Sequence, residues 1–179
     1  MIKDSLGNKE LLHLAKTSFL CSRRCPAGVV LRSYDWARTM RDEGVCVLSG
    51  NHSQIEKDVF HYLLKGTQPI IVALARSLKK HLEPELQEAL AKNRLLIITQ
   101  FESHHKDGGQ ASFTRVTQET ANKRNEFMAE LADEIFVAYA QPDGNVERLV
   151  LKWLRKGKKV STFDVEENKE MIEAGAVAI

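Results

Sequence analysis

The chain has 179 residues, of which 43% are hydrophobic and 28% charged, and a formal net charge of +2. That length suits one well-packed domain spanning 1–179, and the balance is that of a globular protein in water. No run approaches the ~20 apolar residues of a membrane helix. The charges Lys3, Asp4, Lys9 and Glu10 interrupt any signal-peptide core, so no membrane partner and a cytoplasmic location are expected. The mild basicity, with a pI near 8.4, permits phosphate or nucleic-acid ligands without demanding them.

In chain order, residues 1–15 read as a helical extension, with a short amphipathic pattern over 9–16. A first strand is expected at 17–21. The next helix carries Val30, Leu31, Tyr34, Trp36 and Met40 and closes at Gly44. Strands follow at 45–48, 69–74 and 95–98. The helices between them carry Val59, Phe60, Leu63 and Leu64, then Leu82, Leu86, Leu90 and Ala91. The polar stretch 102–110 holds Gly108-Gly109 and no periodicity, so it reads as the longest loop and the most mobile one. Phe127, Met128 and Leu131 then mark a helix leading into the unbroken apolar run 135–140, a strand buried on both sides. Gln141-Pro142-Asp143-Gly144-Asn145 is a turn cluster, and Val146, Leu149, Val150, Trp153 and Leu154 mark the helix after it, stopped by Gly157. A last strand at 161–165, a short helix at 170–174 and an apolar tail complete the pattern. Strands alternating with helices at this spacing give an α/β fold: a Rossmann-like, doubly wound, mostly parallel sheet with helices on both faces.

Ligands of such sheets bind outside the carboxyl ends of the strands. Ser22-Arg23-Arg24 places a hydroxyl and two fixed cations after the first strand, and arginine's planar fork suits phosphate. Ser49-Gly50 follows the second strand, where a glycine allows close backbone approach. Arg76 follows the third, and His52 is the histidine best placed for ligand contact. Glu56, Glu102 and Asp143 lie near strand ends without forming an acid/base pair. His104-His105 have no partner at zinc-ligand spacing, and the chain carries no nucleophile elbow, Walker loop or Gly-x-Gly-x-x-Gly fingerprint. No metal, cofactor or catalytic residue is therefore assigned. Lys152, Arg155, Lys156, Lys158 and Lys159 cluster at a helix C-terminus, where cations complement the dipole and where a surplus offers a second surface to nucleic acid. The chain has three cysteines, an odd number with no export signal in view, so no disulfide framework is expected. Cys46 is expected in the core. Cys21 and Cys25 read as small residues of a tight turn, beside guanidinium charge that can lower a thiol pKa.

These strand ends resemble the DprA/Smf family of DNA-processing proteins, whose Rossmann-like core belongs to a superfamily shared with the LOG phosphoribohydrolases. The family's Gly-Ser-Arg signature appears as Cys21-Ser22-Arg23, its Ser-Gly as Ser49-Gly50, and its Arg-Asn-Arg as Arg124-Asn125-Glu126. The ending Met171-Ile172-Glu173-Ala174-Gly175-Ala176 is similar to the family's close. The resemblance implies a module that binds a nucleotide or single-stranded DNA. Ser22, Arg23, Ser49, Gly50, Arg76, Arg124 and Asn125 would contact phosphate, with the Gly144-Asn145 helix start assisting. A homo-oligomer is compatible with this reading. The alternatives it implies are a LOG-like phosphoribohydrolase using Glu56 or Asp143, and a nucleotide-sensing domain.

Overall fold

The computed structural model describes residues 1–78, 82–102, 104–105, 111–112 and 115–179. The strands are β1 (Asp4–Gly7), β2 (Lys16–Cys21), β3 (Cys46–Ser49), β4 (Ile70–Leu74), β5 (Leu95–Thr99), β6 (His104–His105), β7 (Ala111–Ser112), β8 (Glu134–Tyr139), β9 (Val160–Thr162) and β10 (Val177–Ala178). The α-helices are α1 (Ala27–Asp42), α2 (Gln54–Leu64), α3 (Pro84–Ala91), α4 (Gln118–Leu131), α5 (Asn145–Arg155) and α6 (Lys169–Glu173).

An 8-stranded sheet runs in the order β1-β5-β4-β3-β2-β8-β9-β10. Every pairing in it is parallel except that of β1 with β5. Its central strands are continuous apolar runs because both faces are covered. Successive residues point to opposite sides, so Phe19, Val47, Ile70, Ile97 and Phe136 join one core while Leu20, Leu48, Ile71, Ile98 and Val137 join the other. The first core packs beneath α1, α2 and α3, and sets Trp36 against both Phe19 (centroids 5.0 Å apart, tilted) and Phe136 (4.7 Å, stacked). The second packs beneath α4 and α5 around Met128, Val150 and Trp153. The expected strand at 135–140 is β8, parallel to both of its neighbours. From β2 the chain winds outward to β5, then returns through α4 to β8 on the other side of β2. Helices therefore leave β2 and β8 in opposite directions, which opens a crevice between their carboxyl ends.

Three segments differ from the sequence reading. The N-terminal extension is not wholly helical. It forms edge strand β1 and a 3-10 turn at Lys9–His13, because β5 offers free backbone groups to an antiparallel partner. The apolar tail adds β10 to the opposite edge. His104–His105 pairs antiparallel with Ala111–Ser112, where an unpatterned loop was expected; positions 103 and 106–110 of that loop lie outside the described residues. Among the described residues, no helix is long and apolar enough to cross a membrane.

Candidate functional site

The loops after β2 and β8 are stitched together at the crevice. The backbone N–H of Ser22 donates to the Tyr139 carbonyl at 2.9 Å, and the Ser22 hydroxyl oxygen accepts from the N–H of Gln141 at 2.9 Å. Ser22 is thereby buried, its side chain fixed at the floor of the opening.

The loop after β3 is equally constrained. Ser49, fully buried, accepts the Asn51 N–H on its hydroxyl at 3.1 Å, and Asn51 turns the chain with φ of 47°. Helix α2 then begins in a capping box: the Ser53 hydroxyl accepts the Glu56 N–H at 3.2 Å, and Glu56 Oε2 accepts the N–H of His52 at 2.8 Å and of Ser53 at 3.1 Å. The motif Ser-x-x-Glu was a readable signal, and it gives the Glu56 carboxylate a structural duty.

Helix α4 runs back from the carboxyl end of the sheet and presents Gln118, Ala121, Arg124 and Asn125 at helical spacing along one wall. Arg124 is only 3% exposed. Its Nε donates to Asn125 Oδ1 at 2.8 Å and its Nη1 donates to the Gly50 carbonyl at 2.8 Å. A Cβ on Gly50 would collide with Nη1 and Cζ of Arg124, so the glycine is required by close approach. Burial lowers the Arg124 pKa from its ordinary value, opposed by the charge of nearby Glu56, yet guanidinium basicity is high enough for it to stay a cation.

These pieces enclose a cavity of about 220 Å³ lined by Ser22, Arg23, His52, Arg124, Asn125 and Asn145, among others. Arg23 is exposed at its mouth and donates through Nη2 to His52 Nε2 at 3.0 Å. That bond needs an unprotonated Nε2, and burial together with the charges of Arg124 and Arg23 does hold the His52 pKa below the ordinary histidine value. Opposite, α5 starts at Gly144 with no side-chain cap, so its first N–H groups are left for an anion beside the cavity. The helix start is placed by Asn122, whose Nδ2 donates to Asn145 Oδ1 at 3.3 Å while Asn145 donates back to Asn122 Oδ1.

Of the residues singled out from sequence, Ser22, Arg23, Arg124, Asn125, Gly144 and Asn145 line this cavity. Gly50 forms the seat of Arg124, and Ser49 props the loop from below. Arg76 does not join them. The family resemblance put Arg23, Arg76 and Arg124 at one site, but the turn after β4 sends Arg76 into a neighbouring cavity of about 150 Å³. Of the two carboxylates named for a glycosidic cleavage, Glu56 lines the main cavity with Oε2 occupied by two N–H donors, and Asp143 does not line it. The basic cluster lies at the far end of α5, where Lys152 pairs with Glu126 and Lys159 with Glu134. Glu126, which stands at the third position of the Arg-Asn-Arg motif, also accepts the Trp153 indole N–H at 3.0 Å and so ties α4 to α5. Gln141, the first residue of the turn cluster after β8, also lines the cavity, as does Gln118, which had no signal in the sequence beyond polarity. Among the described residues, no group of His, Cys, Asp and Glu is arranged to hold a metal.

Solved structures share this fold. DNA processing protein A (DprA) from Streptococcus pneumoniae superposes with a TM-score of 0.74 at 17% identity, over 98% of this chain. The fold is that of DprA. This chain spans 62% of the length of that protein. DprA from Helicobacter pylori, whose structure is described as giving insights into its single-stranded DNA binding mode, matches with a TM-score of 0.74 at 18% identity over 97% of this chain and 79% of its own. The molybdenum cofactor binding protein of Rippkaea orientalis shares the architecture more distantly, with a TM-score of 0.61 at 12% identity over 92% of this chain and 88% of its own. No protein-family model and no curated protein sequence matches the chain.

The three cysteines stand in different surroundings. A hydrogen bond from Cys21 lowers the Cys25 pKa, while the interaction with Cys25 and burial push Cys21 up; burial raises Cys46 to about 11. Cys25 is half-buried and the other two are buried. Iodoacetamide at pH 8 should therefore label Cys25 well ahead of Cys21 and Cys46, read by peptide mass spectrometry. Equal labelling of all three in the folded protein would contradict this arrangement.

Proposed function

We propose that this domain binds single-stranded DNA, or a nucleotide as its smallest form, by seating a phosphate in the crevice between β2 and β8. The observation that carries the reading is Arg124: a cation buried to 3% exposure whose described hydrogen bonds use Nε and Nη1 alone. A guanidinium has more donors than those two, and burying a charge is costly unless an anion or further bonds complete it. Arg23 at the mouth, the Asn125 amide and the uncapped start of α5 supply the rest of an anion cradle. The fold shared with DprA, and the single-stranded DNA named for the H. pylori protein, support the choice of polymer.

Ligand that binds only the folded state raises its stability by mass action. A single-stranded oligonucleotide should raise the thermal midpoint at low salt, and the same base sequence on an uncharged peptide nucleic acid backbone should raise it far less. No shift with either the oligonucleotide or a mononucleotide would overturn the reading.

The depressed His52 pKa adds a pH signature. With the folded value below the ordinary one, the neutral ring contributes stability that is present above the usual histidine range and lost as pH falls below it. A phosphate between Arg23 and Arg124 offsets the charges that depress His52, so binding should take up a proton and tighten as pH falls through that range. Isothermal titration in buffers of different ionisation enthalpy measures the uptake, and His52→Gln should abolish it. Uptake unchanged in His52→Gln would show that another group is responsible.

A further inference from the structure

We propose that the neighbouring cavity, between the carboxyl ends of β4 and β5 and helix α3, is a slot for one nucleobase. Its walls are apolar: Val72 and Leu74 from β4, Ile97 from β5 and Leu86 from α3. Its volume of about 150 Å³ is the size that holds a single aromatic ring in an apolar site. Three polar residues stand at this lining, Asn51, Arg76 and the exposed Glu83.

Asn51 is the informative one. Its Oδ1 is buried without a hydrogen-bond partner, and its backbone is held at φ of 47°. A buried acceptor left unmade costs about 1–3 kcal/mol, and a non-glycine residue in the left-handed region adds strain of the kind that gathers at ligand sites. A rotation of the terminal amide presents either its oxygen or its nitrogen to the edge of a heterocycle. Arg76 is steadied by Thr99, whose hydroxyl donates to the Arg76 carbonyl at 2.7 Å, and its own Nη1 donates to the Ser77 carbonyl at 3.3 Å. A planar guanidinium at the edge of an apolar slot stacks on a base or meets its phosphate.

The two cavities share one loop. Gly50 seats Arg124, His52 and Ser53 line the phosphate cavity, and Asn51 between them lines the slot. Neighbouring residues thus serve a phosphate and a base, as adjoining parts of one nucleotide strand require. The placement of the strand rests on the phosphate reading, whereas the slot's affinity for a base does not.

The test compares an oligothymidylate with an oligomer of equal length carrying abasic tetrahydrofuran units, which keeps the phosphates and removes the bases. Wild type should bind the intact strand about ten-fold more tightly, with the same salt dependence for both. Leu86→Trp, which fills the slot from a half-buried position, and Asn51→Gly, which relieves the backbone and removes the amide, should bind the two strands alike. Equal binding of both strands by wild type overturns the slot and leaves the phosphate reading standing. Discrimination that persists in Leu86→Trp also overturns it. If neither strand binds, the phosphate reading falls, and thymidine decides the slot by itself. Millimolar thymidine should then shift the Asn51 side-chain amide resonances in wild type and not those in Leu86→Trp, and an unmoved wild-type spectrum overturns the proposal.

Discussion

Gly50→Ala should abolish ligand binding and lower the thermal midpoint, although it adds a single methyl group. The new Cβ would occupy the space of the Arg124 guanidinium and push it off the Gly50 carbonyl into the cavity it lines, out of its place in the cradle. Losing the Nη1 bond to the Gly50 carbonyl removes a hydrogen bond to a charged group, a loss of about 2 kcal/mol. At about 2–4 °C per kcal/mol for a domain of this size, the midpoint should fall by roughly 4–8 °C. The two residues act as one unit, so Gly50→Ala combined with Arg124→Ala should cost clearly less than the sum of the single changes. Additive losses, measured by calorimetry, would show that Arg124 does not depend on its seat. Arg124→Lys keeps the charge but lacks the planar fork that places separate nitrogens on Asn125 and Gly50, so it should restore little of the binding lost in Arg124→Ala.

Much of the fold was legible because its signals are local. The runs at 70–74, 95–98 and 135–138 are apolar throughout, as central parallel strands must be, and the helices between them carry their buried stripes at the 3.6-residue period. Strand β1, Asp-Ser-Leu-Gly, carries no such pattern. It exists because β5 has an open edge, and an edge strand with an exposed Leu6 leaves little trace in composition. The same holds for β10, a strand of two exposed residues beside β9.

The site was legible at the strand ends and not beyond them. Ser22, Arg23, Gly50 and the Gly144-Asn145 start follow strands that the pattern located, so their shared end of the sheet came with the topology. The bond between Arg124 and Gly50 joins residues 74 apart in sequence, and the pairing of Arg23 with His52 joins residues 29 apart. Neither has a local signature. Arg76 shows the converse limit: the correct strand end still leaves the side chain in the adjoining cavity, because the turn after β4 sets its direction. Glu56 is a case of an overlooked local signal, since Ser53-x-x-Glu56 at a helix start is a capping box before it is a candidate acid.

The salt dependence of single-stranded DNA binding tests the central claim most directly. With Arg23, Arg124 and one further cation neutralising phosphates, the slope of log affinity against log salt should be about −2, at about −0.7 per contact. Affinity should then fall about twenty-fold between 50 mM and 200 mM salt, on the order set by counterion release. Fluorescence anisotropy with a labelled oligonucleotide measures this on wild type and on Arg23→Ala, whose exposed side chain makes no core contact. The expected result is weaker binding by Arg23→Ala and a slope shallower by about 0.7. Wild-type binding matched by Arg23→Ala in both affinity and slope would contradict the crevice and move the interface to the basic cluster around Lys156 and Lys158.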